Sequence, residues 1–101
     1  MKIRLKATKI EMTDAIASYF QEKMDMLDKY LSGIQVLNCD CEIEKIGGTQ
    51  QKGKVYRAEV NLELPGQLLR VDKEASDVYK AIDKVKDHYI RVIAKYKEKR
   101  K

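Results

Sequence analysis

The chain is poor in the residues that build reactive centres. It has two cysteines and one histidine, whereas a closed zinc site takes about four ligands. Cys39 and Cys41 are therefore not half of a metal centre completed by His88, which falls on a distant helix. Set two apart, the thiols share one face of a strand and are expected in the core, reduced. No apolar run approaches the ~20 residues that cross a bilayer, and the opening MKIRLKATKIEM has no apolar stretch of a signal peptide. A cytoplasmic protein with no membrane partner is expected. A Gly-rich phosphate loop and a nucleophile elbow are both missing. The carboxylates of Asp77 and Asp83 are six apart on a helix and do not converge. Neither enzyme activity nor a cofactor, metal or small-molecule substrate is expected. There is also no RNP-type aromatic motif and no GXXG clamp. Of seven aromatics, Phe20, Tyr56, Tyr89 and Tyr96 lie on apolar faces, where packing is their default role.

What is present suits one folded domain over residues 1–101. Charged residues make up 37% and hydrophobic residues 44%, a globular balance rather than a disordered one. A chain this short buries only about two-thirds of its unfolded surface, so its amphipathic helices must share one sheet. KIRLKA alternates strictly over residues 2–7, with Ile3, Leu5 and Ala7 on one face of a strand. Thr13 is placed to cap a helix over 14–32, with Ile16, Phe20, Met24, Leu27 and Leu31 on one side and Gly33 as a left-handed terminator. A second strand is expected over 35–45 and a polar glycine loop at 47–53. A third strand covers 54–64, Pro65-Gly66 turns the chain, and a short strand covers 67–71. The last helix is expected over 73–97, capped by Asp72, with Val78, Ile82, Val85, Tyr89, Ile93 and Tyr96 as its apolar stripe. A helical crossover makes the first two strands parallel and the hairpins make the rest antiparallel. The expected fold is α+β: a two-layer β-α-β-β-β-α sandwich, a four-stranded mixed sheet with both helices on one face.

Charge is distributed unevenly. The net charge is +5, yet Lys80 to Lys101 holds nine basic residues against three acidic ones, so the rest of the chain is slightly negative. Such asymmetry points to a polyanion, nucleic acid first. Lys80, Lys84, His88, Arg91 and Lys95 are spaced four, four, three and four, which aligns them on a helix of ~3.6 residues per turn, opposite the apolar stripe. They read either as a solvated face or as a track for RNA phosphates, and the basic tail from about residue 97 extends them. Between Lys84 and Arg91, His88 is expected to be mostly neutral near pH 7. On the first strand, Lys2, Arg4 and Lys6 would sit beside Asp40, Glu42 and Glu44, and cross-strand neutralisation accounts for them without a ligand.

The segment EASDVYKAIDKVKDHYIRVIAKYKEK, with Asp77, Tyr79, Ala81, Ile82 and Asp83, resembles the D-x-Y-x-A-I-D motif and basic helix of the ribosome hibernation promoting factors. That family is also described as ribosome-associated inhibitor A and as sigma-54 modulation proteins. IEMTDAIASYFQEKMDMLDKYLSGI resembles its capped first helix, with Thr13, Ala15, Lys23, Leu27 and Tyr30 in register. The resemblance runs over essentially the whole chain and is closest to the family's short form. It implies a fold like a double-stranded RNA-binding domain and a factor, monomeric when free, that binds the small ribosomal subunit. There it occupies the decoding region on 16S rRNA, where mRNA and tRNA would lie. The cations that match the family pattern are Lys23, Arg91, Lys95 and Lys97, with Lys80 and Lys84 extending the row. His88 stands where the family usually has lysine, and Ala17 and Met26 where relatives often carry basic residues. Short members include both promoters and blockers of ribosome dimers, and both readings stand. The alternatives are a protein-binding modulator of the sigma-54 type, acting through the sheet face, and a generic double-stranded RNA binder.

Overall fold

Alternating apolar residues build the sheet, and the side they share sets where the helices go. The computed structural model describes residues 1–47 and 55–100. The expected glycine loop, from residue 48 on, lies outside them, as does the start of the third strand at residue 54. The elements are β1 (Arg4–Thr8), α1 (Asp14–Asp25), a 3-10 turn (Asp28–Leu31), β2 (Asn38–Lys45), β3 (Tyr56–Leu64), β4 (Gln67–Ala75) and α2 (Val78–Lys99). The sheet order is β1-β2-β3-β4, with β1 parallel to β2 and both other pairings antiparallel. Cys39, Cys41, Ile43, Ala58, Val60, Leu62, Leu64, Leu69, Val71 and Ala75 are all buried on one face. Against them pack Ile16, Phe20 and Met24 of α1 and the whole expected stripe of α2, in one continuous core. Both helices cover this face, as the alternation requires. The two cysteine sulfurs lie 3.8 Å apart as free thiols. Their contact, together with burial, pushes the Cys41 thiol far above the ordinary value.

Several expectations on element ends need correction. The first helix stops at Asp25 instead of reaching Ser32, because the chain tightens: Leu27 N–H donates to the Met24 carbonyl at 3.0 Å and Tyr30 N–H to Leu27 at 3.0 Å. Leu27 and Leu31 stay buried through this tighter turn, so the apolar spacing marks burial rather than α-helix here. Gly33 then ends it with φ +81°, a conformation open to glycine. At the other end of the sheet, β4 runs on to Ala75 rather than stopping at Val71. Lys73, Glu74 and Ala75 find partners in Ala58, Arg57 and Tyr56, and completing that ladder outweighs the helical preference of Lys-Glu-Ala. The cap of α2 is accordingly Asp77, not Asp72: its carboxylate accepts from Tyr79 N–H at 2.6 Å and Lys80 N–H at 3.3 Å. Finally, β2 begins at Asn38 rather than at residue 35, and Leu37 is exposed.

The uncovered face of the sheet is held by Arg57. The register sets Glu42 beside Glu59 and Glu59 beside Asp72, three acids in a row, which is unfavourable without cations. Arg57 answers it from the neighbouring row, donating to Glu44 Oε1 at 2.8 Å and to Glu59, with Glu42 and Asp72 each at 3.7 Å. At the β1 edge Arg4 forks onto Asp40 at 2.5 and 2.9 Å, the cross-strand neutralisation expected for that residue. Burial works against charge on Glu59, but hydrogen bonds from Arg57, Asn61 and Arg70 outweigh it and hold the carboxyl below its usual value of 4.5.

Removing the Arg57 guanidinium should therefore uncouple this face. Arg57→Met is expected to cost about 2–3 kcal/mol in urea unfolding at pH 7, and Arg57→Lys, which cannot fork, about half of that. Glu59 contributes stability that is full at neutral pH and lost as pH falls through its lowered folded value. The methionine variant should thus lose less stability than wild type on acidification. A variant within ~0.5 kcal/mol of wild type, a typical surface substitution, would show that Arg57 is not the organising cation.

Candidate nucleic-acid interface

The buried stripe fixes how α2 is rotated, and rotation decides which cations face out. Tyr89 is fully buried, and its hydroxyl reaches the carbonyls of Val60 at 2.5 Å and Leu69 at 3.2 Å. Tyr96 donates to the Pro65 carbonyl at 2.8 Å and pins the far end of the helix to the β3-β4 turn. With α2 so held, Lys80, Lys84, Arg91 and Lys95 are exposed and His88 is half-buried. The exposed row stands away from the stripe, and its middle, Lys84, His88 and Arg91, leans toward β4. It runs along the flank that overhangs β4, where Lys84 Nζ donates to the Glu74 carbonyl at 3.1 Å. Lys84 and Arg91 line a cleft there with His88, Asp87, Asp72, Lys73 and Glu74.

His88 lies deepest in this row. Its Nδ1 is buried and has no hydrogen-bond partner among the described residues. Burial lowers its pKa from 6.5, and Lys73, Arg91 and Lys95 lower it further. The expected neutral imidazole therefore has two causes that spacing did not show: desolvation, and a cation from the sheet. Lys73 lies in β4 and not at the expected helix start, which is why helical spacing does not place it beside His88. The alternation of β4, continued past Val71, would have found it.

Lys23 and Lys97 occupy other surroundings. Lys23 lies between α1 and α2, its side chain only 17% exposed, 3.7 Å from Asp83 and 5.0 Å from the centre of the Tyr19 ring. Lys97 Nζ donates to the Tyr30 carbonyl at 3.0 Å, on the flank away from β4. The motif that carries the family resemblance is likewise built into the fold. Asp77 caps α2, Tyr79 meets Tyr19 edge-on at 4.9 Å, Ala81 and Ile82 are fully buried, and Asp83 accepts from the Tyr19 hydroxyl at 2.6 Å. That last bond, with burial, raises the Tyr19 pKa to about 12.

Fold and surface together define a small two-layer α+β domain with a cationic flank on its last helix. The family profile described as "Sigma 54 modulation protein / S30EA ribosomal protein" matches residues 3–101. The chain belongs to that family. It is 31% identical over 97 residues to a ribosome hibernation promotion factor of Lactococcus lactis, covering 96% of this chain and 50% of the relative. Against the ribosome hibernation promoting factor of Escherichia coli K12 it is 25% identical over 101 residues, covering 100% of this chain and 98% of the relative. A Deinococcus radiodurans relative is 29% identical, with 93% of this chain and 48% of the relative covered. The chain thus spans about half the length of the Lactococcus and Deinococcus proteins. Among solved structures, the N-terminal domain of Thermus thermophilus Protein Y superposes with a TM-score of 0.79 at 31% identity, covering 95% of this chain and 99% of that one. A ribosomal subunit interface protein from Coxiella burnetii gives the same TM-score at 20% identity, over 97% of this chain and 99% of its own.

The Tyr19-Asp83 bond offers a direct check on how the two helices meet. In an alkaline ultraviolet titration, Tyr19 should ionise near 12, and Asp83→Asn should bring it back toward the ordinary ~10. The same variant should cost about 1 kcal/mol, the loss of one charge-assisted hydrogen bond. An unchanged tyrosine titration would contradict this placement of α1 on α2.

Proposed function

We propose that the protein is a ribosome hibernation factor that silences translation by occupancy. It binds the small ribosomal subunit at the decoding region through 16S rRNA, excludes mRNA and tRNA, and protects idle ribosomes in cells entering stationary phase. No bond is made or broken. The observation that carries the reading is the row Lys80, Lys84, Arg91 and Lys95, exposed on one flank of a helix whose rotation the core fixes. Like charges at such spacings repel by a few tenths of a kcal/mol each, and RNA phosphates relieve that repulsion while releasing counterions. Family membership and relatives named for ribosome hibernation support it. A protein-binding modulator acting through the sheet face is less well supported, because the charges there largely answer one another through Arg4, Arg57 and Arg70. The six residues Lys23, Lys80, Lys84, Arg91, Lys95 and Lys97, with His88, are the proposed RNA-binding set. The four exposed members of the row form its centre, and Lys23 and Lys97 stand apart from it, beside Asp83 and the Tyr30 carbonyl.

Co-sedimentation with purified small subunits over a salt series tests this. Four phosphate contacts predict that log affinity falls with log salt at a slope of about −3. Glutamate at positions 84, 91 and 95 together should abolish binding at physiological salt while leaving the fold intact. Wild type that fails to bind small subunits even at low salt would refute the proposal. A triple variant that keeps full activity in cells would favour the protein-binding reading instead.

A further inference from the structure

The cleft between the edge of β4 and the flank of α2 has a volume of about 550 Å³ and mixed walls: Asp72, Lys73 and Glu74 from the strand, Lys84, Asp87, His88 and Arg91 from the helix. Its carboxylates have other partners or other directions. Asp72 lies 3.7 Å from Arg57, on the uncovered face of the sheet. Asp87 pairs with Lys86 at 2.6 Å. Glu74 is opposite Arg57 in the register and gives the cleft its backbone carbonyl, which holds Lys84 Nζ at 3.1 Å. Lys73, by the alternation of β4, shares the helix-covered side with Val71 and Ala75 and is half-buried. None of the described residues forms a salt bridge with Lys73 or Arg91. Beside them lies His88, whose Nδ1 is buried without a hydrogen-bond partner among the described residues.

Cations from two different elements thus converge on one imidazole, and among the described residues no carboxylate is paired with Lys73 or Arg91. This is the arrangement that recognises a compact oxyanion, since charge from two sides restrains position as well as supplying attraction. We propose that this cleft is a phosphate subsite, in which Lys73 of the sheet edge and Lys84, His88 and Arg91 of α2 hold one phosphate of an RNA backbone between strand and helix. The RNA source rests on the function proposed above; the phosphate chemistry does not.

The subsite couples binding to protons. The groups facing His88 are Asp72, Lys73 and Glu74 from β4 and Lys84, Asp87, Arg91 and Lys95 from α2. In the free protein, burial and the cations Lys73, Arg91 and Lys95 disfavour the imidazolium. A phosphate dianion or phosphodiester seated among those cations offsets them and favours the imidazolium. Binding then takes up a fraction of a proton, and affinity rises as pH falls from about 7.5 to about 6.

Because the chain has one histidine, proton NMR of the imidazole reports on this site alone. The full chain is titrated in sodium phosphate and in sodium chloride of equal ionic strength. The midpoint of the His88 titration should be higher in phosphate by roughly half a pH unit or more. Lys73→Gln should remove most of that difference, whereas Lys80→Gln, outside the cleft, should keep it. Equal midpoints in the two salts overturn the subsite. The RNA source is tested with purified small subunits. Lys73→Gln should weaken binding several-fold, and the wild-type gain between pH 7.5 and 6, about three-fold or more, should shrink in that variant. Wild-type affinity in Lys73→Gln would mean that the cleft takes free phosphate only and overturns the RNA assignment. Wild type that does not bind small subunits overturns the proposed function and the RNA source together. The imidazole titration alone then decides whether the cleft takes phosphate.

Discussion

The packing of α2 on the sheet is the constraint on which the rest depends. A helix with an apolar stripe can rotate by a residue or two and still bury most of it; Tyr89 removes that freedom. Its ring is fully enclosed and its hydroxyl spans to carbonyls of β3 and β4, so rotation would strand a buried polar group at a cost of about 1–3 kcal/mol. The cap at Asp77 and the Tyr96 bond to Pro65 fix both ends of the helix. Once the rotation is set, Lys80, Lys84, Arg91 and Lys95 face solvent along β4, Asp83 faces α1, and His88 is drawn between helix and sheet.

The same constraint separates the charges of the molecule. The uncovered face of the sheet carries more acids than bases, and its arginines are committed to holding them. The cations of α2 stand apart from that face, exposed on the helix. The result is a polarised domain, consistent with a partner that meets α2 and leaves the sheet uncovered. The motif by which the family is recognised belongs to the scaffold: Asp77, Tyr79, Ala81, Ile82 and Asp83 cap, stack, fill and bridge. It therefore identifies a fold and a helix rotation, and through them the direction in which the cations point.

Much of this was legible in the sequence, for physical reasons that also explain the misses. Period-two spacing put Cys39 and Cys41 together in the core, and the six-residue stripe of α2 is buried throughout. The cap at Thr13 and the left-handed Gly33 are legible because capping and positive φ are local properties of single residues, although α1 itself ends well before Gly33. The boundary at Asp72 failed because two aspartates five apart can each cap a helix, and only pairing with β3, a contact distant in sequence, selects Asp77. The same misassignment hid Lys73. The surroundings of Lys23 and Lys97 depended on tertiary partners, Asp83 and the Tyr30 carbonyl, which no spacing rule reveals.

The central claim is that the β4-side flank of α2, and not the uncovered sheet, meets RNA. Lysine acetylation of the protein, free and bound to small subunits, followed by mass spectrometry, reads this residue by residue. The account predicts that Lys73, Lys80, Lys84 and Lys95 lose reactivity on binding while Lys2 and Lys6 keep theirs. Protection of Lys2 and Lys6 with the α2 lysines still reactive would contradict it.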